Sequence, residues 1–180
     1  MKSTKAIVIT FSILLIVFGL FIGAYRGWNA ERAEVSAAYQ TLEEMLLTRA
    51  ETAANILTVA SRHLSAGDEQ MKLVADERDI LKNKNRSMGE KADANTRLAT
   101  DANALLQKLA ALDTVKADAR DNMYVTAMLP QMLDDSGKYV TQTAYNQAAQ
   151  AFNKRFGDNF ISGTLARVLG ITPAQEFGAE

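Results

Sequence analysis

The stretch AIVITFSILLIVFGLFIGAY, residues 6–25, runs for twenty residues without a charged side chain. In helical form, at 1.5 Å per residue, it reaches about 30 Å, the thickness of a bilayer's hydrocarbon core. The core of a cleaved export signal is shorter, about 7–15 residues, and closes on a small-x-small site. Here only IGA at 22–24 offers itself as such a site. The run therefore reads as a membrane anchor over residues 1–28, crossing the lipid bilayer of a bacterial cytoplasmic membrane once, ahead of a body over 29–180. Lys2 and Lys5 precede the run and Arg26 follows it, with no acid before Glu31. Basic flanks stay on the cytoplasmic side, so the amino terminus is expected inside and the body exported.

Two features mark the far end of the run. Gly19, Gly23 and Gly27 fall four apart and share one helix face. Small residues at that spacing let two backbones approach closely in lipid, so a helix–helix seam is expected there. Tyr25 and Trp28 are placed as an aromatic belt at the interface.

From Glu31 onward the chain carries 17 basic and 21 acidic residues, a charge of -4. A mildly acidic body without a broad basic face argues against nucleic-acid binding. There is no cysteine, which removes disulfides, thiolate metal sites and cysteine nucleophiles. With β-branched clusters scarce past the anchor, the body reads as helical. Val35, Tyr39, Leu42, Leu46, Ala53, Ile56 and Ala60 step by threes and fours, predicting a helix over about 30–64 that continues from the anchor. Asp68 is a good N-cap for a second helix whose steps continue from Met71 to Leu112, a span on the order of 60 Å, with Gly89 a place where it could break. A third helical stretch covers about 121–156, with Pro130 and DDSG at 134–137 as points of kinking or splitting. A short amphipathic piece follows, with Phe160, Ile161, Leu165, Val168 and Leu169 on one side and Gly170 as its C-cap. The expected class is all-α: an N-terminal transmembrane helix, then an elongated antiparallel helical bundle of three long helices plus a short C-terminal one.

Several of these stretches together resemble the LemA family of membrane-anchored bacterial helical proteins. VSAAYQTLEEMLLTRAETAANILTVASRH (35–63) is similar to the family's opening segment, including Arg49, Ala50, Glu51, Asn55 and Ile56. DEQMKLVADERDIL (68–81), with Glu69, Ala75 and Arg78, is similar to its second helix. VKADARDNM (115–123) resembles the turn before the third, and AYNQAAQAFNKRF (144–156) carries its Tyr-Asn pair and later Asn as Tyr145, Asn146 and Asn153. LGITPAQEF (169–177) follows the closing pattern. Ala54 and Gly157 stand where the family commonly has proline, and Thr141-Gln142 where it has Ala-Arg, so the resemblance is to a divergent member. It implies a helical body and no known catalytic activity.

Few residues suggest chemistry. His63 is the sole histidine, with Val59 and Gly67 four residues away on either side, so no second metal ligand stands on its face. The carboxylates Glu43, Glu44 and Glu51 lack the Glu-x-x-His repeats of di-metal bundles. Arg49 occupies a seam position and needs a partner from another helix; Arg78 occupies another. Asn146 and Asn153, seven apart, share a face and suit a polar seam that fixes register. Arg78, Lys82, Lys84, Arg86 and Lys91 read as a solvated polar tip. No catalysis and no cofactor are expected. The function expected is a scaffold that self-assembles as a homo-oligomer at the membrane, with a second reading as an adaptor or sensor for another membrane protein.

Overall fold

The computed structural model describes residues 2–141, 143–158 and 160–178, and all its regular elements are helices. The all-α class therefore stands. The helices are α1 (Lys2–His63), α2 (Glu69–Lys82), α3 (Met88–Ala111), α4 (Asp113–Ala117), α5 (Ala119–Met123), α6 (Leu129–Thr141), α7 (Tyr145–Asp158) and α8 (Phe160–Val168), with one π-helical turn, Tyr124–Met128, between α5 and α6. Contacts divide the chain into two compact units. One holds residues up to Ala38 together with Gln147–Ala174; the other holds Tyr39–Asn146 with the segment after Ala174.

α1 is unbroken over 62 residues, because no proline interrupts it and the apolar run passes directly into the stepped pattern. Its last turn carries Arg62 and His63, which suit the negative end of the helix dipole. In the first unit its early part is bare: Ile7, Phe18 and Leu20 are each 65 % exposed. An 18-residue window of this helix has a mean hydropathy of 2.8, long and apolar enough to cross a membrane.

Trp28 departs from the expected belt position. It is fully buried in a cluster with Phe152, Ala166 and Ile171. Phe152 meets it edge-on at 5.4 Å between ring centroids and Phe156 lies 4.5 Å away. The Arg155 guanidinium stacks 4.5 Å over the indole and pairs with Glu31. An indole has enough apolar area to anchor such a cluster, and α7 and α8 supply the cover that a belt position would leave to lipid. Gly27 departs with it, since a side chain there would meet the Arg155 guanidinium at 3.2 Å. α8 ends in a Schellman motif: Gly170 takes φ 70°, Ile171 N–H donates to the Ala166 carbonyl and Gly170 N–H to that of Arg167. Phe160 and Ile161 lie outside the described side chains.

In the second unit, the later part of α1 buries Leu42, Leu46, Ala50, Ala53, Ile56 and Ala60. The single second helix expected over 68–112 is two helices. Asn83 leaves α2 in an extended conformation, and its side chain accepts from Asn85 N–H at 2.9 Å. Ser87 then opens α3 with a full capping box, giving and taking bonds with Glu90. α3 runs back along α2, so Gln70 bonds to Asp101 and Lys108 reaches Asp68. The third stretch is likewise divided. Pro130 has no N–H and its ring would clash with the carbonyl four residues before it. The chain accommodates this with the π-turn, whose closing bond runs from Leu129 N–H to the Tyr124 carbonyl. DDSG at 134–137 does not break α6, which continues to Thr141. Gln142 lies outside the described residues, and α7 starts afresh at Tyr145.

Candidate functional site

The alternating steps of α1 put Arg49 on its inward face beside Leu46 and Ala53, and the residue is only 3 % exposed. Nη1 donates to the Leu133 carbonyl of α6 at 2.9 Å and to Ser136 Oγ at 3.3 Å. Nη2 reaches the Asn95 carbonyl of α3 at 3.5 Å, long for a hydrogen bond, and Nε has no partner. Asn95 Oδ1 is also buried without a partner. The seam arginine thus takes its partners from other helices, but none of them is a carboxylate. Burial alone acts on its ionisation, pulling it below the ordinary arginine value. It remains charged at any physiological pH. Gly137 makes the room: a Cβ there would lie 2.8 Å from Nη1. The helix-breaking glycine read from DDSG is a clearance for Arg49.

The guanidinium lines a groove of about 380 Å³, bordered by α3 and α6, with Thr96, Ala99 and Asn103 on one side and Asp134 and Lys138 on the other. Lys138 pairs with Asp134 at 2.5 Å and with Asp135 at 3.9 Å, so the rim largely cancels its own charge. The Asp134 bond, the first cause, raises the Lys138 ammonium above its ordinary value.

The other expected polar seam residues behave differently. Arg78 is half-buried and binds its neighbour Asp79 at 2.8 Å, while the fully buried position belongs to Glu77. Burial, then the bond and charge of Asp101, push the Glu77 carboxyl up to about 8 against the pull of Arg97. Asn146 and Asn153 do not join helix to helix. Asn153 bonds both the N–H and the carbonyl of Ala174, at 2.7 and 2.8 Å. Asn146 does the same for Phe177, at 2.8 Å each. Each amide imitates one strand-like rung and pins the extended tail to its own unit. Gly19 and Gly23 face open space. Tyr25 is half exposed.

Lys91, placed in the solvated tip by its sequence, is instead buried and bonds Glu43 Oε1 at 3.1 Å. Tyr39 donates to the same oxygen at 2.9 Å. Burial works against the Glu43 charge, yet these two donors outweigh it and hold the carboxyl below its ordinary value. Tyr39 is pushed up to about 12, by burial first and then by Glu43. The sequence signal was present: Met88, Lys91, Ala94 and Leu98 are one face stepping by three, three and four. His63 pins the end of α1, Nε2 to Asp121 at 2.8 Å and Nδ1 to Thr114 at 3.2 Å. Asp121 is buried and also pairs with Arg62 at 3.1 Å. Among the described residues no cluster of three His, Asp or Glu has the makings of a metal site.

Comparison of the chain with protein-family models, with curated proteins and with solved structures gives no match.

Proposed function

We propose that the chain is a non-enzymatic, single-pass membrane protein whose helical bundle serves as a scaffold and assembles with copies of itself. The observation that carries this reading is the bare early part of α1, where Ile7, Phe11, Ile16 and Leu20 face outward on all sides. Such a surface is tolerated in lipid and costly in water. Gly19 and Gly23, open on their side of the helix, favour close pairing between spans. The stretches that resemble the LemA family suit the same role, as a divergent member with its body exported. A second reading, an adaptor for another membrane protein, is favoured by the exposed Met123, Met128, Met132 and Tyr139 on the α5–α6 segment. Methionine-rich surfaces adapt to varied partners.

The test is the mass of the full-length protein in mild detergent beside a Gly19→Leu, Gly23→Leu variant. A large assembly that falls apart in the variant supports self-assembly through the span. A large assembly that survives moves the contact to the body. A monomer in both removes self-assembly and leaves the adaptor reading.

A further inference from the structure

We propose that the groove over Arg49 is a binding site for a small organic carboxylate. A guanidinium removed from water needs an anion close by, because its own hydrogen bonds satisfy its protons but not its charge. Arg49 is 3 % exposed and keeps its charge, and its hydrogen bonds among the described residues go to two helix carbonyls and a hydroxyl. Carbonyl and hydroxyl oxygens are dipoles, and the negative end of a helix contributes at most a partial charge. Burial is the sole influence on its ionisation, with no carboxylate counteracting it. The fold nevertheless reserves space for this cation, since Gly137 stands in the middle of α6 where alanine would collide with Nη1. Glycine in a helix interior costs about 1 kcal/mol relative to alanine. Two separate costs are thus borne to keep an unneutralised arginine on the wall of a cavity.

The cavity defines the ligand. Its 380 Å³ falls within the range of small-molecule sites and holds a carboxylate with a short organic body. The contact of Nη2 is weak, which leaves it able to take a carboxylate oxygen from the groove, whereas Nε–H is buried away from the groove without a partner. Asn103 and Thr96 add neutral polar groups on the α3 side. Lys138 and Asp134 on the opposite rim pair with each other and add no net charge, so the one guanidinium is matched by one negative charge and a monoanionic carboxylate fits better than a phosphate. The inference is independent of how the protein assembles.

The experiment follows trifluoroacetate by its fluorine line width, added to the full-length protein in a neutral detergent at constant ionic strength. The expected result is saturable broadening, reversed by acetate at lower concentration than by inorganic phosphate. Arg49→Met removes the charge, and Ala99→Phe fills the groove while leaving Arg49 with all its partners; each is expected to reduce the broadening at least tenfold. Circular dichroism establishes that each variant is folded, and Ala99→Phe alone decides the matter should Arg49→Met not fold. Absence of saturable broadening in the wild type overturns the proposal, as does broadening that persists in Ala99→Phe. Stronger competition by phosphate than by acetate overturns the assignment to a carboxylate.

Discussion

Arg49 and Gly137 are a matched pair, and their energetics run opposite to what each residue type suggests. In an exposed helix, Gly137→Ala would stabilise by about 1 kcal/mol. Here the added methyl meets Nη1 at 2.8 Å. Arg49 has nowhere to retreat without losing its bonds to Leu133 and Ser136. Gly137→Ala is therefore expected to destabilise, by about 1–3 kcal/mol from overpacking, read as a lower thermal midpoint. Arg49→Met is expected to be neutral or to raise that midpoint, because replacing an uncompensated buried charge by an apolar chain of similar length removes a desolvation cost. A large loss of stability in Arg49→Met would mean that the helix carbonyls repay the charge in full. Glu77 gives a pH dependence with a definite sign. Its carboxyl titrates at about 8 in the folded chain against an ordinary 4.5. Between those values the folded chain holds a proton that the unfolded chain has released, so stability falls as pH rises through this window. Glu77→Gln is expected to flatten the fall and to be more stable than the wild type at pH 9, by on the order of 3 kcal/mol.

At the scale of elements, legibility in the sequence followed the strength of the local signal. α1 was readable because its steps of three and four persist from Val35 to Ala60 without a breaker. The division between α2 and α3 is not written in the apolar pattern. The seam steps through Asn85 and Met88 cross it without a phase change, and the stop is encoded in side-chain bonds of Asn83 and Ser87. Ser87-x-x-Glu90 is nonetheless a legible capping box, and it opens two residues before Gly89. In α2 the buried face takes Glu77 in place of the adjacent Arg78, and in the first half of α3 it takes in Lys91, Ala94 and Leu98, each one residue before a seam position. Asn146 and Asn153 were legible as a pair on one face, but their partners come from a tail with no periodicity of its own. That tail supplies the element-scale prediction. Asn153→Ala removes both bonds to Ala174 and leaves its N–H without that partner. It is expected to cost about 1–3 kcal/mol and to speed protease cleavage after Gly170, followed by mass spectrometry. Unchanged cleavage would mean that Ile171, buried beside Trp28, holds the segment alone.

At the scale of the whole molecule, the apolar start of α1 and the Trp28 cluster make opposite demands on one continuous helix. Among the described residues the first part has no protein cover, with Ile7 and Leu20 each 65 % exposed. At Trp28 exposure falls to zero under Phe152 and Ala166. A helix that is bare and apolar all round is stable only where its surroundings are apolar too. The change at Trp28 therefore marks where the proposed span hands over to protein packing, and it predicts two separable failures. Ile13→Lys with Ile16→Lys places two charges in the bare part, at about 2.5–3.5 kcal/mol each on insertion. This pair is expected to move the protein from the carbonate-resistant membrane fraction to the soluble or aggregated one, while the helical content of the body stays as it was. Trp28→Ala is expected to do the reverse: membrane retention intact, and the packing of α7 and α8 weakened by about 3–5 kcal/mol. Should the lysine pair remain membrane-bound after carbonate, the bare surface would have to be covered by other copies of the chain, since only burial in protein would then shelter both the apolar side chains and the charges.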